Sequence, residues 1–156
     1  MRGKLKVKRP LQPDDVYDSV NVTQFINYVM KDGRKSAATK VVHGMLEELK
    51  EKHKVAKPAE LFDEALENVS PVMEVRSRRI GGATYQVPRE VRTTRRTMLG
   101  MRWIIAAADS KSGKPMSVRL ANEIIEASKK EGEAFKKKEN THKMAEANRA
   151  FAHFSW

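Results

Sequence analysis

Residues 72–88, VMEVRSRRIGGATYQVP, restrict the fold of this chain more than any other stretch. β-Branched and aromatic residues are frequent there, side-chain character alternates roughly by two, and Gly81-Gly82 divides the segment. That alternation is the period of a strand, and a Gly-Gly pair supplies the positive φ angles of a two-residue hairpin turn. An antiparallel β-hairpin is therefore expected. A lone hairpin is marginal in water, so it has to lean on helices at its base and extend outward, with Ile80 and Tyr85 near its far end. Its strands carry arginine where a core strand would carry valine.

The rest of the periodic sequence is helical. Val22, Phe25, Ile26, Val29 and Met30 fall at helical spacing behind Ser19, a fitting N-cap, with Gly33 as the expected stop. A second helix is expected from about Lys35, with Val41, Val42, Met45, Leu46 and Leu49 on one face. Pro58 opens a third at the position where proline is tolerated, and Pro71 closes it. A fourth is expected from about Pro88 to Ala108 and a fifth with Leu120, Ala121, Ile124 and Ile125 inward, stopped at Gly132. The last segment, 133–156, is helix-prone and ends in Phe151, Phe154 and Trp156. At 156 residues the chain suits one modest core. The expected fold class is mainly α: a single helical domain over residues 16–156, of about six helices, with a protruding two-stranded β-hairpin between the third and fourth. Residues 1–15, with two prolines and no periodicity, read as a basic extended arm.

Charge is distributed as unevenly as strand character. Residues 1–10 hold five cations and no acid, and residues 76–102 hold eight arginines against Glu90. The two segments carry +5 and +7 against a whole-chain charge of +11, which leaves −1 for everything else. A near-neutral scaffold thus presents two basic elements, the footprint of a polyanion binder. Stepping about 100° per residue from Arg92 along the fourth helix puts Arg95, Arg96 and Arg102 within an arc of roughly 120°. Val91, Thr94, Met98, Met101 and Ile105 take the adjoining arc, and Trp103 falls among the arginines. Arginine rather than lysine matters, because a planar fork of donors grips phosphate bidentately and stacks on bases.

Catalytic chemistry finds little support. Cysteine is absent, which removes thiolate metal sites and disulfides and suits a reducing compartment. His43, His53, His142 and His153 lack metal-ligand spacing, and SGKP at 112–115 puts proline where a phosphate loop needs Ser or Thr. The acids of the second and third helices sit among surface positions, the methionines lie in apolar stripes, and Lys136 to Lys138 read first as a solvated helix face. The reading is of a non-enzyme without cofactor, metal or small-molecule substrate. With no signal peptide and no run of about 18 apolar residues, no membrane is expected and the location is cytoplasmic. DNA-bending β-arms are the rival for the hairpin, but they end in an apolar wedge, whereas a smooth Gly-Gly tip backed by Arg78, Arg79 and Tyr85 suits RNA.

The strings MEVRSRRIGGATYQVP (Met73 to Pro88), RLANEI (Arg119 to Ile124) and NTHKMAEANRAFAHF (Asn140 to Phe154) give the chain a family likeness. From about Arg9 to Trp156 it resembles bacterial-type small-subunit ribosomal protein seven. The resemblance implies a helical body with a protruding β-ribbon that binds the 3′ major domain of small-subunit ribosomal RNA. It also implies that the protein nucleates assembly of the subunit head and lines the exit tRNA and messenger region of a cytoplasmic ribosome, with an organellar one left open. Carried over as ribosomal RNA contacts are Arg2, Lys4, Lys6, Lys8, Arg9, Lys35, Arg92, Arg95, Arg96, Arg102, Met116 and Arg119. Arg76, Arg78, Arg79, Gly81, Gly82 and Tyr85 go to the ribbon on the tRNA side. His142, Lys143, Met144 and Arg149 match the family's C-terminal segment, beside a neighbouring ribosomal protein. Arg89 stands where relatives often carry an apolar residue, and Ser155 where a basic one is frequent.

Overall fold

A computed structural model describes residues 11–154; the arm residues Arg2, Lys4, Lys6, Lys8 and Arg9, and the terminal Ser155 and Trp156, lie outside the described residues. In chain order the elements are α1 (Val20–Val29), α2 (Lys35–Glu51), α3 (Pro58–Val69), β1 (Met73–Ile80), β2 (Ala83–Glu90), α4 (Thr93–Ser110), α5 (Met116–Ser128) and α6 (Gly132–Ala147). A 3-10 helix, Arg149–Phe154, follows. The mainly helical fold with one antiparallel hairpin between α3 and α4 is the one expected.

α5 forms the hub, packing against α2, α3, α4 and α6. Its Leu120, Ala121, Ile124 and Ala127 are fully buried, while Ile125 is half-buried at the margin. Around it Phe25, Met45, Leu46, Leu49, Phe62, Met101 and Ile104 complete the core, with the Phe25 and Phe62 rings 5.0 Å apart. Each such side chain contributes about 1.5–3 kcal/mol on burial. Ser19 caps α1 by accepting the Val22 amide, and Pro58 opens α3 at its first turn.

Three boundaries differ from the sequence expectation. α1 ends at Val29 rather than Gly33, because Asp32 and Gly33 both take positive φ and form the turn into α2. α4 starts at Thr93 rather than near Pro88, since residues 88–90 extend β2. Pro88 opposes Val75 in a ribbon whose strands each have an open edge, so its missing N–H is tolerated. With the helix starting later, Thr94 is exposed, and Gly100, Met101, Ile104, Ala107 and Ala108 make the buried face. Gly132 opens α6 rather than stopping α5; a Cβ there would meet Glu123 Oε1 at 2.9 Å.

The ribbon pairs from Met73↔Glu90 to Ile80↔Ala83, with Gly81 and Gly82 at φ +56° and +90° in the turn. It leans on α6 through β1 and on the C-terminal 3-10 helix through β2. Near the other end of the body, Asp14 Oδ1 lies 3.1 Å from His43 Nε2, tying the segment before α1 to α2. Burial alone would raise the Asp14 pKa. The hydrogen bond to His43, the Val16 and Tyr17 amides and the His43 charge outweigh it and hold the carboxyl below its ordinary value.

Candidate nucleic-acid interface

Eighteen residues of helix separate the two ends of α4, about 27 Å. At its start Arg92 is the exposed N-cap residue with extended backbone, and the amides of Arg95 and Arg96 close the first turn on its carbonyl. Arg95 Nε donates to both oxygens of Glu74, a carboxylate buried at the ribbon's base, and Arg89 Nε lies 3.7 Å from the same group. Arg89 therefore serves as a counter-charge in the cross-strand pair Glu74↔Arg89. Arg96 is half-buried, and its Nε has no hydrogen-bond partner among the described residues.

Arg96 also raises the potential around α6. Burial first, then the charges of Lys130 and Arg96, push the Lys138 ammonium below its usual pKa. Burial, Lys138 and Arg96 do the same to His142. Lys138 Nζ donates to the Asn68 carbonyl at 2.6 Å, and Asn68 in turn donates to the carbonyls of Ala127 and Ser128. Lys138 is thus more than one cation of a solvated face: it satisfies a carbonyl in the last turn of α3. Arg96, Lys130 and Lys138 together concentrate positive charge there, which favours an anion.

The far end of α4 forms a second cationic region. An open groove of about 320 Å³ runs between Val29, Lys31, Arg34, Ile105, Met116 and Arg119, with Asp109 also in its lining and 3.4 Å from Lys31 Nζ. Met116 lines it, and Lys35 lies exposed on the first turn of α2, where it lines a separate groove with Thr39 and His43. Lys31 and Arg34 were not singled out from sequence; the run KDGRK around a glycine turn was the available signal. Arg119 has a structural task. Its Nη1 donates to the carbonyls of Ala108 at 2.9 Å and Asp109 at 3.3 Å, and to that of Lys111, closing the last turn of α4. Between the two regions Arg102 is exposed, with its guanidinium carbon 5.5 Å from the Tyr28 ring centre.

The ribbon's candidates separate by face. Arg76 and Arg78 share a face with Tyr85, and Arg79 points to the opposite one. Tyr85 is half-buried, its ring 5.3 Å from Phe151 and 5.4 Å from Phe154. Gly81 and Gly82 are exposed at the tip. In the C-terminal segment His142 is half-buried and its Nε2 accepts the Val72 amide at 3.1 Å, which pins the entry to β1. Lys143, Met144 and Arg149 are exposed. The arm cations lie outside the described residues.

A third surface repels polyanions. α3 carries Glu60, Asp63, Glu64 and Glu67 and no Lys or Arg, and residues 11–30 carry Asp14, Asp15 and Asp18 and likewise no Lys or Arg. The two stretches meet in a shallow groove lined by Val16, Val20, Asn21, Pro58 and Asp63. Lys57 also lines that groove, and Asp63 and Glu67 line a second one together with Arg96, so the acidic surface adjoins the cations at the start of α4. Among the described residues no group of three His, Asp or Glu could hold a metal ion, and no helix is long and apolar enough to cross a membrane.

Comparison with known proteins finds relatives along the whole chain. A family profile described as Ribosomal protein S7p/S5e matches residues 1–149. The chain is 54% identical over 156 residues to a protein of Nautilia profundicola called small ribosomal subunit protein uS7, with both chains fully covered. It is equally identical over the same length to the protein of that name from Thermotoga maritima. To the one from Francisella tularensis subsp. holarctica it is 55% identical over 149 residues, 96% of this chain and 95% of the other.

Proposed function

We propose, from the premise that the chain belongs to the ribosomal protein S7p/S5e family, that it binds the 3′ major domain of small-subunit ribosomal RNA and nucleates assembly of the subunit head. The family is one of structural components of the small subunit, not of enzymes. The observation that carries the proposal is the placement of charge: Arg95 at the start of α4 is locked to the ribbon's base through Glu74, while α3 and the segment before α1 stay acidic.

In this reading Arg92, Arg96 and Arg102, the groove flanked by Lys31, Arg34 and Met116, the nearby Lys35, and the arm cations Arg2 to Arg9 grip ribosomal RNA. The helical body from residue 16 holds them at fixed spacing. Phosphate contacts of this kind give affinity and register, and folded RNA is recognised by the shape to which they are matched. Arg95 and Arg119 act indirectly, by fixing the ribbon's base and the end of α4. The ribbon reaches towards exit-site tRNA and messenger RNA, and the exposed Lys143, Met144 and Arg149 face a neighbouring ribosomal protein.

Reconstitution of small subunits with variant protein tests this division. Arg92→Glu with Arg102→Glu is expected to leave the protein unincorporated, whereas replacing Arg79, Gly81 and Gly82 by alanine leaves incorporation intact and weakens tRNA binding. Full incorporation of the first variant would refute the assignment of α4 to ribosomal RNA.

A further inference from the structure

The two faces of the ribbon differ in what covers them. The register places Arg76, Arg78, Ile80 and Tyr85 on one face and Ser77, Arg79, Thr84 and Gln86 on the other. Against the first, Phe151 and Phe154 flank the Tyr85 ring and lie 6.4 Å from each other in a stacked arrangement. On this face Arg78, Ile80 and Tyr85 are half-buried, and Arg76, nearer the base, is exposed. On the second face Ser77, Arg79, Thr84 and Gln86 are all exposed, and the Ser77 hydroxyl donates to Gln86 Oε1 at 3.2 Å.

We infer that the ribbon meets RNA with its Ser77, Arg79, Thr84 and Gln86 face, and that Tyr85 is a packing residue for the C-terminal helix that takes no base. The inference rests on the reading that the ribbon touches RNA at all. A base stacking on Tyr85 would have to displace two phenylalanines that already occupy its surroundings. The opposite face offers a guanidinium for phosphate, and two hydroxyls and an amide suited to ribose hydroxyls, and it carries no aromatic ring. It therefore recognises the ribose-phosphate backbone rather than base identity. Gly81 and Gly82 continue that surface: a Cβ at either would meet nothing within 4 Å, so a backbone can cross the tip closely.

Two full-length variants separate the faces, Arg79→Ala with Gln86→Ala, and Tyr85→Leu, each assembled into small subunits and titrated with deacylated tRNA. The double variant is expected to weaken exit-site binding about tenfold or more, while Tyr85→Leu stays within about twofold of wild type. A larger loss from Tyr85→Leu, or none from the double variant, overturns the inference. A third chain with residues 77–86 replaced by a short turn tells the two failures apart. Unchanged tRNA affinity in that chain defeats the parent reading and the face assignment together. Weakened affinity there beside an unaffected double variant defeats the face assignment alone.

Discussion

Arg95 Nε donates to both carboxylate oxygens of Glu74, at 3.1 and 2.9 Å, and so joins the first turn of α4 to the base of β1. One buried carboxylate, with Arg89 as its second neighbour, sets the angle between the two arginine-bearing elements. Glu74→Gln is expected to lower the unfolding free energy by about 1 kcal/mol, a modest loss because the Arg95 side chain is 44% exposed. Hydrogen exchange should quicken in residues 73–90 and stay unchanged in α5. A uniform response across the chain would show that Glu74 serves the whole body rather than the ribbon.

His142 gives stability a pH dependence. Burial, Lys138 and Arg96 hold its pKa below the ordinary 6.5, so the unfolded chain takes up a proton before the folded one does. The associated stability is complete above pH 6.5 and is lost as pH falls through the lower folded value. Protonated Nε2 also can no longer accept the Val72 amide. Thermal unfolding from pH 7.5 to 5 should show a decline that His142→Gln reduces.

The α4–α5 connection hangs on a buried acid. Glu123 is fully buried, accepts the Ala134 amide at 2.9 Å and lies 2.6 Å from Lys111 Nζ. Lys111→Ala strands that carboxylate and is expected to cost about 3 kcal/mol in urea unfolding, more than the neutral replacement Glu123→Gln. Equal or smaller loss in Lys111→Ala would contradict the pairing.

Salt reads out the phosphate count. If about 6 to 10 phosphates are engaged, affinity for the head-domain RNA should fall about 10³ to 10⁵ fold between 50 and 200 mM salt. Filter binding measures the slope, and charge reversal at Arg92 should make it shallower.

Periodicity carried most of the architecture: the Gly81-Gly82 turn, the Ser19 cap and the Pro58 start all lie where local chemistry requires them. Boundaries failed where tertiary context overrode local signals, as at Pro88, whose strand role depends on an open ribbon edge, and Gly132, which is small because Glu123 lies against it. The candidate interface was legible as charge but not as division of labour. Sequence cannot distinguish an arginine that faces outward, such as Arg92, from Arg95 or Arg119, whose guanidiniums bind a carboxylate and helix-end carbonyls. Tyr85 could be placed on the ribbon but not against its ring partners, Phe151 and Phe154, which come from more than sixty residues away. Glu123 was invisible for the same reason, since only the fold reveals a buried acid on an amphipathic helix.

The most direct measurement is a competition at fixed salt between a 3′ major-domain junction of small-subunit ribosomal RNA and a random duplex of equal length, each labelled and titrated with full-length protein. The account predicts that the junction wins by about 10³ fold or more, the margin expected when shape-matched contacts add to the charge common to both. Equal affinity for the two would contradict it, leaving a basic surface without a cognate RNA.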